Sequence, residues 1–196
     1  MLTGERITLR PVQSGDLPVM RSWFDDPETM AYWANPRPFV TERQFESDLA
    51  GRFSRFDLAG YFIIIDPEGK PIGRIEYEAL DERNGSAEIG IMIGEAEARG
   101  LGYGPDAVFT LLRYLFWDRN LHRVDLTVLA WNERAIRAYR RIGFVHEGIH
   151  RDHRFVDGTY VDELHMSLLR AEFDTRYGAA QASATPSEGS SPALPA

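Results

Sequence analysis

The sequence predicts an α+β domain, a mixed α/β fold in which helices flank a mostly antiparallel sheet of about seven strands. Three observations predict this class. Strand-like stretches joined by short turns fill much of the first half of the chain, which is typical of antiparallel pairing. In the second half, strand-like and helix-like stretches alternate. The last two predicted strands form a long hairpin.

The first half contributes four predicted strands and two predicted helices. A turn at residues 66–70 that contains both Pro and Gly joins two of the strands, and Asn84-Gly85 is typical of a hairpin turn. One helix is expected over about residues 16–24. Another begins at the capping box Thr41-Glu42-Arg43-Gln44 and extends to about residue 57. The predicted strands cover residues 6–12, 61–65, 72–78 and 86–93.

The second half begins with a helix whose apolar residues recur at i, i+3, i+4, i+7 and i+8 from Val108 to Phe116. A later helix ends at Gly143, a residue type that favours the C-terminal turn of a helix. The final hairpin turns at Asp157-Gly158. The predicted elements are helices ending at about residues 118 and 142, and strands over residues 123–129, 144–155 and 160–169.

Composition limits the number of domains and the kinds of partner. With 196 residues and 43% hydrophobic side chains, we expect one domain over residues 1–175. Residues 176–196 are rich in Ala, Ser, Pro and Gly, which predicts a disordered tail. The absence of cysteine excludes disulfides and cysteine nucleophiles, and without a signal-peptide core we expect a cytoplasmic protein. A net charge of −8 disfavours nucleic acid and membrane partners and favours cationic substrates.

A glycine-rich turn, Arg99-Gly100-Leu101-Gly102-Tyr103-Gly104, connects a predicted strand to a predicted helix. Glycines let the backbone approach an anion closely, and the N–H groups and dipole of the helix N-terminus then bind the negative charge. The turn therefore predicts a phosphate site, and a pyrophosphate suits its length. The spacing differs from the Gly-x-Gly-x-x-Gly of dinucleotide folds, and a purely structural turn is the alternative.

A second motif, beyond the next strand, gives the sequence a specific family resemblance. The glycine-rich turn reads Arg-x-x-Gly-x-Gly, and residues 132–144 read Asn-x-x-Ala-x-x-x-Tyr-x-x-x-Gly-Phe. Together these motifs resemble the GNAT superfamily of N-acetyltransferases over about residues 5–173. Near the N-terminus, Leu9-Arg10-Pro11, Asp16 and Trp23 are similar to the branch that acetylates ribosomal-protein N-termini, whose relatives include polyamine and aminoglycoside acetyltransferases.

The resemblance implies a fold and a reaction. The sheet is expected to splay between its fourth and fifth strands. The reaction is expected to transfer the acetyl group of acetyl-CoA, without a metal, to a primary amine of a protein N-terminus or of a small polyamine or aminoglycoside. The amine attacks directly within a ternary complex, and a homodimer is common among relatives. A non-catalytic acyl-CoA-binding or sensing module on the same fold is the alternative.

The resemblance also implies a donor site for acetyl-CoA. Backbone N–H groups of the glycine-rich turn are expected to bind the pyrophosphate. Pro105 stands where the family often has Ser or Thr; it lacks an N–H, so we expect weaker pyrophosphate binding. Asn132 is expected to contact the pantetheine arm, to cap its helix, or both. The expected donor-site residues are Ile91, Ile93, Arg99, Gly100, Leu101, Gly102, Tyr103, Gly104, Asn132 and Arg134.

Two residues are candidates for the catalytic chemistry. By resemblance, Tyr139 protonates the departing CoA thiolate, although it also fits a buried helix face. Glu88, on the strand before the glycine-rich turn, is the candidate general base, acting through water. Glu76 and Glu78 are rivals on one face of the preceding strand, and any of the three could be an ordinary solvated residue.

Three further patterns leave alternatives open. The arginines of the 132–142 helix form either a solvated face or a site for the 3′-phosphate of CoA. Aromatic residues either line an acceptor pocket or cover the core. His146-Glu147-Gly148-Ile149-His150 matches a zinc-protease pattern, but that motif requires a helix and here falls on a predicted strand. The arginines are Arg134, Arg137, Arg140 and Arg141, and the aromatic residues are Trp23, Phe24, Tyr32, Trp33 and Phe39.

Overall fold

The computed structural model describes residues 1–33, 41, 43–45, 47, 51 and 59–182. The strands in this part of the chain are β1 Leu2–Thr3, β2 Thr8–Pro11, β3 Gly60–Ile65, β4 Pro71–Asp81, β5 Ser86–Ile93, β6 Arg123–Leu129, β7 Val145–Val156 and β8 Thr159–Leu169. The helices are α1 Leu17–Asp25, α2 Pro27–Trp33, α3 Tyr103–Arg113, α4 Glu133–Ile142 and α5 Arg170–Ala182. A wider helical turn, Tyr114–Asp118, extends α3 to the predicted end of that helix.

The described strands form one sheet in the order β1-β2-β3-β4-β5-β6-β8-β7. All seven predicted strands are present, and the two-residue β1 is additional. The first predicted strand is shorter than expected, because the amides of Glu5, Arg6 and Ile7 donate to the carboxylate of Asp106 at 3.1, 2.7 and 3.1 Å. Asp106 lies in the first turn of α3, so it ties the N-terminal strands to that helix.

The sheet opens between β5 and β6, its one parallel pair among the described strands. These strands are paired only where Ser86–Glu88 face Arg123–Asp125. On their outer sides both strands stay fully paired: β5 with β4 as far as Ile93, and β6 with β8 along its whole length. The predicted splay between the fourth and fifth predicted strands is therefore confirmed, and it begins directly after Glu88.

Helices cover both faces of the sheet. The larger core cluster packs α3 and the C-terminal helix against one face, with Phe116 and Phe173 fully buried. The smaller cluster packs α1 and α2 against the other face around Trp23, Ile63 and Met92. Ile63 packs in the smaller cluster and its neighbour Ile64 packs in the larger one. Successive side chains of this strand therefore point to opposite faces of the sheet, and both faces are buried.

The N-terminal residues that carry the family resemblance are structural. Arg10 forms a two-point ion pair with Asp16 at 3.0 and 2.7 Å, which fixes the entry into α1. Trp23 is buried, and its indole N–H donates to Glu95 at 2.8 Å. A Cβ at Gly94 would lie 2.2 Å from the Trp23 ring, so only glycine fits there. Trp23 is thus a core residue, one of the two interpretations that the sequence left open.

The C-terminal helix α5 extends into the segment predicted as a tail. It continues through Ala182. Three contacts anchor its first half to the core. Phe173 is fully buried, Trp117 donates to Asp174 at 2.9 Å, and Tyr177 donates to the carbonyl of Ile142 at 3.0 Å. Residues 176–182 of the predicted tail therefore belong to this helix, and the rest of the tail stays a prediction. Residues 183–196 lie outside the described residues.

Two further sequence predictions concern the segment between α2 and β3. The capping box is present. The amide of Gln44 donates to the hydroxyl of Thr41 at 3.3 Å, and the amide of Thr41 donates to Oε1 of Gln44 at 3.0 Å. The extension of that helix to residue 57 and the position of Phe39 lie outside the described residues. Among the described helices, none combines the length and the apolar character needed to cross a lipid bilayer.

Candidate active site

The divergence of β5 and β6 opens a cleft of about 810 Å³. Residues of β5 and β6 line it, together with residues of α4, the glycine-rich turn, and Tyr32 and Trp33 of α2. All the predicted site residues except Leu101 and Tyr103 line this cleft. The fold therefore brings together residues that lie up to about fifty positions apart in the sequence.

The glycine-rich turn presents main-chain donors at the start of α3. Gly100 and Gly102 have φ of 80° and 89°, a conformation that favours glycine. Among the described residues, the amides of Leu101, Gly102, Tyr103 and Gly104 donate no hydrogen bond, as expected at a helix N-terminus. Leu101 and Tyr103 direct their side chains elsewhere, so their predicted part in donor binding is limited to these amides.

Contacts with the N-terminal segment of the chain hold the glycine-rich turn in place. Arg6 donates to the carbonyl of Leu101 at 2.7 Å, and Asp106 binds the amides that precede β2. Pro105 lines the cleft without an N–H, as the sequence indicated. Ile91 and Ile93 also line the cleft and would lie 4.0 and 3.8 Å from a Cβ at Gly104. The donors are therefore presented on a braced turn next to an apolar strand.

Arg99 has a clear structural role. Its guanidinium donates to the carbonyls of Ile93 and Gly94, both at 3.2 Å, to Thr29 at 2.6 Å and to Glu28 at 2.8 Å. These contacts clamp α2 onto the end of β5 and occupy the donors that a pyrophosphate would need. The contribution of Arg99 to donor binding stays a prediction, and the structure assigns its side chain to positioning α2.

Asn132 caps α4 and also faces the cleft. Its Oδ1 accepts a hydrogen bond from the amide of Ala135 at 3.2 Å. The helix-capping interpretation is therefore confirmed, and the amide nitrogen of the same side chain remains for a ligand contact. The pantetheine contact of Asn132 stays a prediction.

One face of α4 supplies positive charge to the cleft. Arg134, Arg137 and Arg141 line it at a spacing of i, i+3 and i+7, whereas Arg140 does not. Arg137 pairs with Glu133 at 2.9 Å, and Arg134 stacks over Tyr32 at 5.4 Å. Exposed arginines on one helix face suit a phosphate, and the contact with the 3′-phosphate of CoA stays a prediction.

Tyr139 combines a core position with access to the cleft. Its ring contacts Phe144 edge-on at 5.8 Å, and the same residue lines the cleft. Its hydroxyl forms no hydrogen bond with any described residue, and burial raises the pKa of Tyr139 to about 12. The phenol thus stays protonated at neutral pH and can donate a proton or hydrogen bond to a group in the cleft.

Four carboxylates line the cleft, and three of them have a protein partner. Glu76 pairs with buried Arg74 at 3.1 Å, Glu163 accepts from Arg154 at 2.8 Å, and Glu78 accepts from the hydroxyl of Tyr61. Glu88 forms no hydrogen bond or ion pair with any described residue. Of the four, Glu88 is therefore the carboxylate that no described residue occupies.

The surroundings of Glu88 favour its neutral form more than water does. Burial raises the pKa of Glu88; His165 opposes this effect, and Asp125, Glu163 and Glu78 add to it. Glu78 lies directly opposite Glu88 in the β4–β5 pair. A carboxylate with a raised pKa accepts a proton more readily than an ordinary glutamate, which suits a general base.

The zinc-protease alternative is wrong. His146 and His150 lie on the strand β7, not on a helix. They face Met166 and Glu163, which are three residues apart on β8, or about 10 Å. Among the described residues, neither of the groups whose ligand atoms lie within reach of one ion contains His146.

The sequence analysis missed the contribution of the final hairpin to the cleft. Arg154 and Glu163, from β7 and β8, line it as an ion pair. Glu163 is buried in the structure, but its strand also contains Asp162, His165 and Ser167, so residue type did not single it out. Nothing in the local pattern indicated that this strand would face the cleft. Of the aromatic candidates, Tyr32 and Trp33 line the cleft, whereas Phe24 packs in the smaller core cluster.

Comparisons with known proteins identify the family of this chain. A family model described as an acetyltransferase (GNAT) domain matches residues 6–145. The uncharacterized N-acetyltransferase p20 of Bacillus licheniformis is 31% identical over 173 residues, covering 86% of this chain and 96% of that protein. Spermidine N(1)-acetyltransferase of Vibrio cholerae is 28% identical over 171 residues, covering 87% and 97%.

Solved structures give the same result. The crystal structure of spermidine N-acetyltransferase from Vibrio cholerae in complex with CoA and spermine matches with a TM-score of 0.79 at 27% identity, covering 86% of this chain and 98% of that one. The chain therefore belongs to the acetyltransferase (GNAT) family and is an N-acetyltransferase that uses acetyl-CoA.

Proposed function

We propose that this N-acetyltransferase acetylates a primary amine of a small polycation of the polyamine class. One observation carries the proposal: a single cleft contains both a set of unpartnered backbone amides and a group of four carboxylates. The amides suit the anionic donor. Arg74 and Arg154 pair with two of the carboxylates, whereas Glu88 has no partner among the described residues and suits a cationic acceptor. The similar Vibrio cholerae protein is named as a spermidine acetyltransferase both as a sequence and as a solved structure, which supports the same acceptor class.

The donor is expected to bind with its pyrophosphate at the glycine-rich turn. There the amides from Leu101 to Gly104 and the dipole of α3 stabilise negative charge. Asn132 offers its side-chain amide to the pantetheine arm. Arg134, Arg137 and Arg141 offer charge to the 3′-phosphate. Apart from Leu101 and Tyr103, the residues of these proposed contacts line the cleft, which supports this arrangement.

The proposed transfer is a direct attack by the amine. A free alkylamine has a pKa of about 10 and must lose a proton before it can act as a nucleophile. The amine nitrogen forms a bond to the acetyl carbonyl carbon, and the carbon–sulfur bond breaks. Before the attack the ammonium group gives one proton to Glu88, directly or through one water. After the attack the nitrogen releases a second proton to solvent, and the CoA thiolate takes a proton from Tyr139. Exchange with solvent then restores both side chains.

The acceptor class is tested with a panel of amines at a fixed acetyl-CoA concentration. We expect kcat/KM to be at least about tenfold higher for spermidine than for a monoamine, because one further charge-assisted contact contributes about 1.5–3 kcal/mol. Added salt should reduce this difference. A higher kcat/KM for a peptide N-terminus would contradict the proposed acceptor, and binding of acetyl-CoA without turnover of any amine would indicate a non-catalytic module.

Replacing Tyr139 with phenylalanine tests the proton donor. Tyr139→Phe removes only the hydroxyl, and the ring contact with Phe144 remains. We expect kcat to fall by about 10²-fold or more, while the dissociation constant of acetyl-CoA stays unchanged. Tyr160→Phe, on the exposed tip of the β7–β8 hairpin, is the matched control. An unchanged kcat in Tyr139→Phe would show that the hydroxyl has no part in the reaction.

Replacing Glu88 with glutamine tests the base. In the wild-type enzyme, activity should decline as pH falls through the raised pKa of Glu88, since the protonated carboxyl cannot accept a proton. Glu88→Gln should lower kcat/KM by about 10²-fold or more and remove this acidic limb. Glu78→Gln changes the carboxylate opposite and should keep the limb. If Glu78→Gln loses the limb and Glu88→Gln keeps it, the base is Glu78.

A further inference from the structure

An irregularity in β7 brings two of its histidines together. In a regular strand, residues three apart point to opposite faces. In β7 the register with β8 shifts between His150 and Arg154, and Asp152 has a φ of 48° while its amide donates to Asp162 at 2.9 Å. As a result, the rings of His150 and His153 lie 5.0 Å apart.

A carboxylate completes this group from the neighbouring strand. Glu163 of β8 is paired with His150 in register, and its side chain is only 6% exposed. Its Oε2 lies 3.5 Å from Nε2 of His153, whereas its Oε1 accepts from Nε of Arg154 at 2.8 Å. One ligand atom from each of His150, His153 and Glu163 lies within 4.8 Å of the other two.

We propose that His150, His153 and Glu163 form a binding site for a divalent transition metal ion, with zinc as the representative ion. Two imidazole nitrogens and one carboxylate oxygen are a ligand set that such ions prefer. Bonds of about 2.0–2.1 Å place tetrahedral ligand atoms about 3.4 Å apart. Both histidines are exposed, so rotation of their side chains closes the remaining gap. Arg154 then holds the second carboxylate oxygen and orients Glu163.

Neither a second cluster of possible metal ligands nor the other histidine of the His-Glu-x-x-His pattern is as well suited to bind a metal ion. Asp125, Glu147 and His165 also lie within reach of one ion, but both carboxylates are already paired with Arg123 at 2.5 Å. His146 lies opposite Met166 and is not part of either group. The proposed site therefore uses one histidine of the His-Glu-x-x-His pattern and a different partner for it.

The position of Glu163 connects the proposed site to the cleft. Glu163 lines the cleft on the side of the carboxylates. An ion bound to it would add two positive charges there and would oppose the binding of a cationic amine. This consequence for activity rests on the proposed function, whereas the binding of the ion does not.

Metal binding is tested on tag-free, chelator-treated full-length protein by calorimetric titration with Zn²⁺ and by the visible absorption of bound Co²⁺. We expect one ion per chain. His150→Gln and His153→Gln should each weaken binding at least about tenfold, and His146→Gln should leave it unchanged. Unchanged melting temperatures would show that the variants fold. No saturable binding by the wild-type protein, equal affinity in all variants, or a loss in His146→Gln equal to that in His150→Gln would overturn the proposal.

Inhibition is a second and separate readout. Zn²⁺ should raise the KM for spermidine in the wild-type enzyme and in His146→Gln, and should leave it unchanged in His153→Gln. If the enzyme proves inactive toward polyamines, the calorimetric and spectroscopic titrations still decide the metal site. If the titrations fail while spermidine is acetylated, the metal site is wrong and the proposed function stands.

Discussion

The cleft depends on one constraint: two parallel strands that stay paired for three residues and then diverge. Beyond Glu88, β5 remains bound to β4, and β6 remains bound to β8. The edges that face each other across the cleft therefore carry backbone N–H and C=O groups without a strand partner. Unpaired backbone groups need another partner or water, and the amides of a pantetheine arm are suited to this role. The same divergence makes room for the side chains of α4 and α2.

The distribution of charge inside the cleft follows from where each residue finds a partner. Arg74, stacked between Phe24 and Trp33, neutralises Glu76, and Arg154 neutralises Glu163. Glu88 has no such partner among the described residues, and its environment raises its pKa.

Burial also raises the pKa of Tyr139, so its phenol is protonated at neutral pH. A carboxylate with a raised pKa and a phenol that is protonated at neutral pH suit the roles of base and acid in the proposed transfer.

Local patterns predicted much of the fold because local chemistry determines those elements. Positive φ at Gly102 and the capping contact of Asn132 belong to single turns of the chain and can be read from residue type. Strand periodicity likewise located β3 to β6. The role of Arg99 could not be read in this way, since its partners lie about seventy residues earlier on α2. Glu163 and His153 meet only because β7 contains a shift in register that no residue pattern announced.

Donor binding at the glycine-rich turn is tested most directly by the thermal stability of the protein with acetyl-CoA. A ligand present at about a hundred times its dissociation constant stabilises the native state by about 2.7 kcal/mol. Gly104→Glu places a carboxylate among the amides at a position without positive φ, and Gly15→Glu adds the same charge where no atom lies within 4 Å.

We expect acetyl-CoA, but not NAD or ATP, to raise the melting temperature of the wild-type protein and of Gly15→Glu and to have no effect on Gly104→Glu. No shift in the wild-type protein at millimolar acetyl-CoA, or an equal shift in Gly104→Glu, would contradict this account.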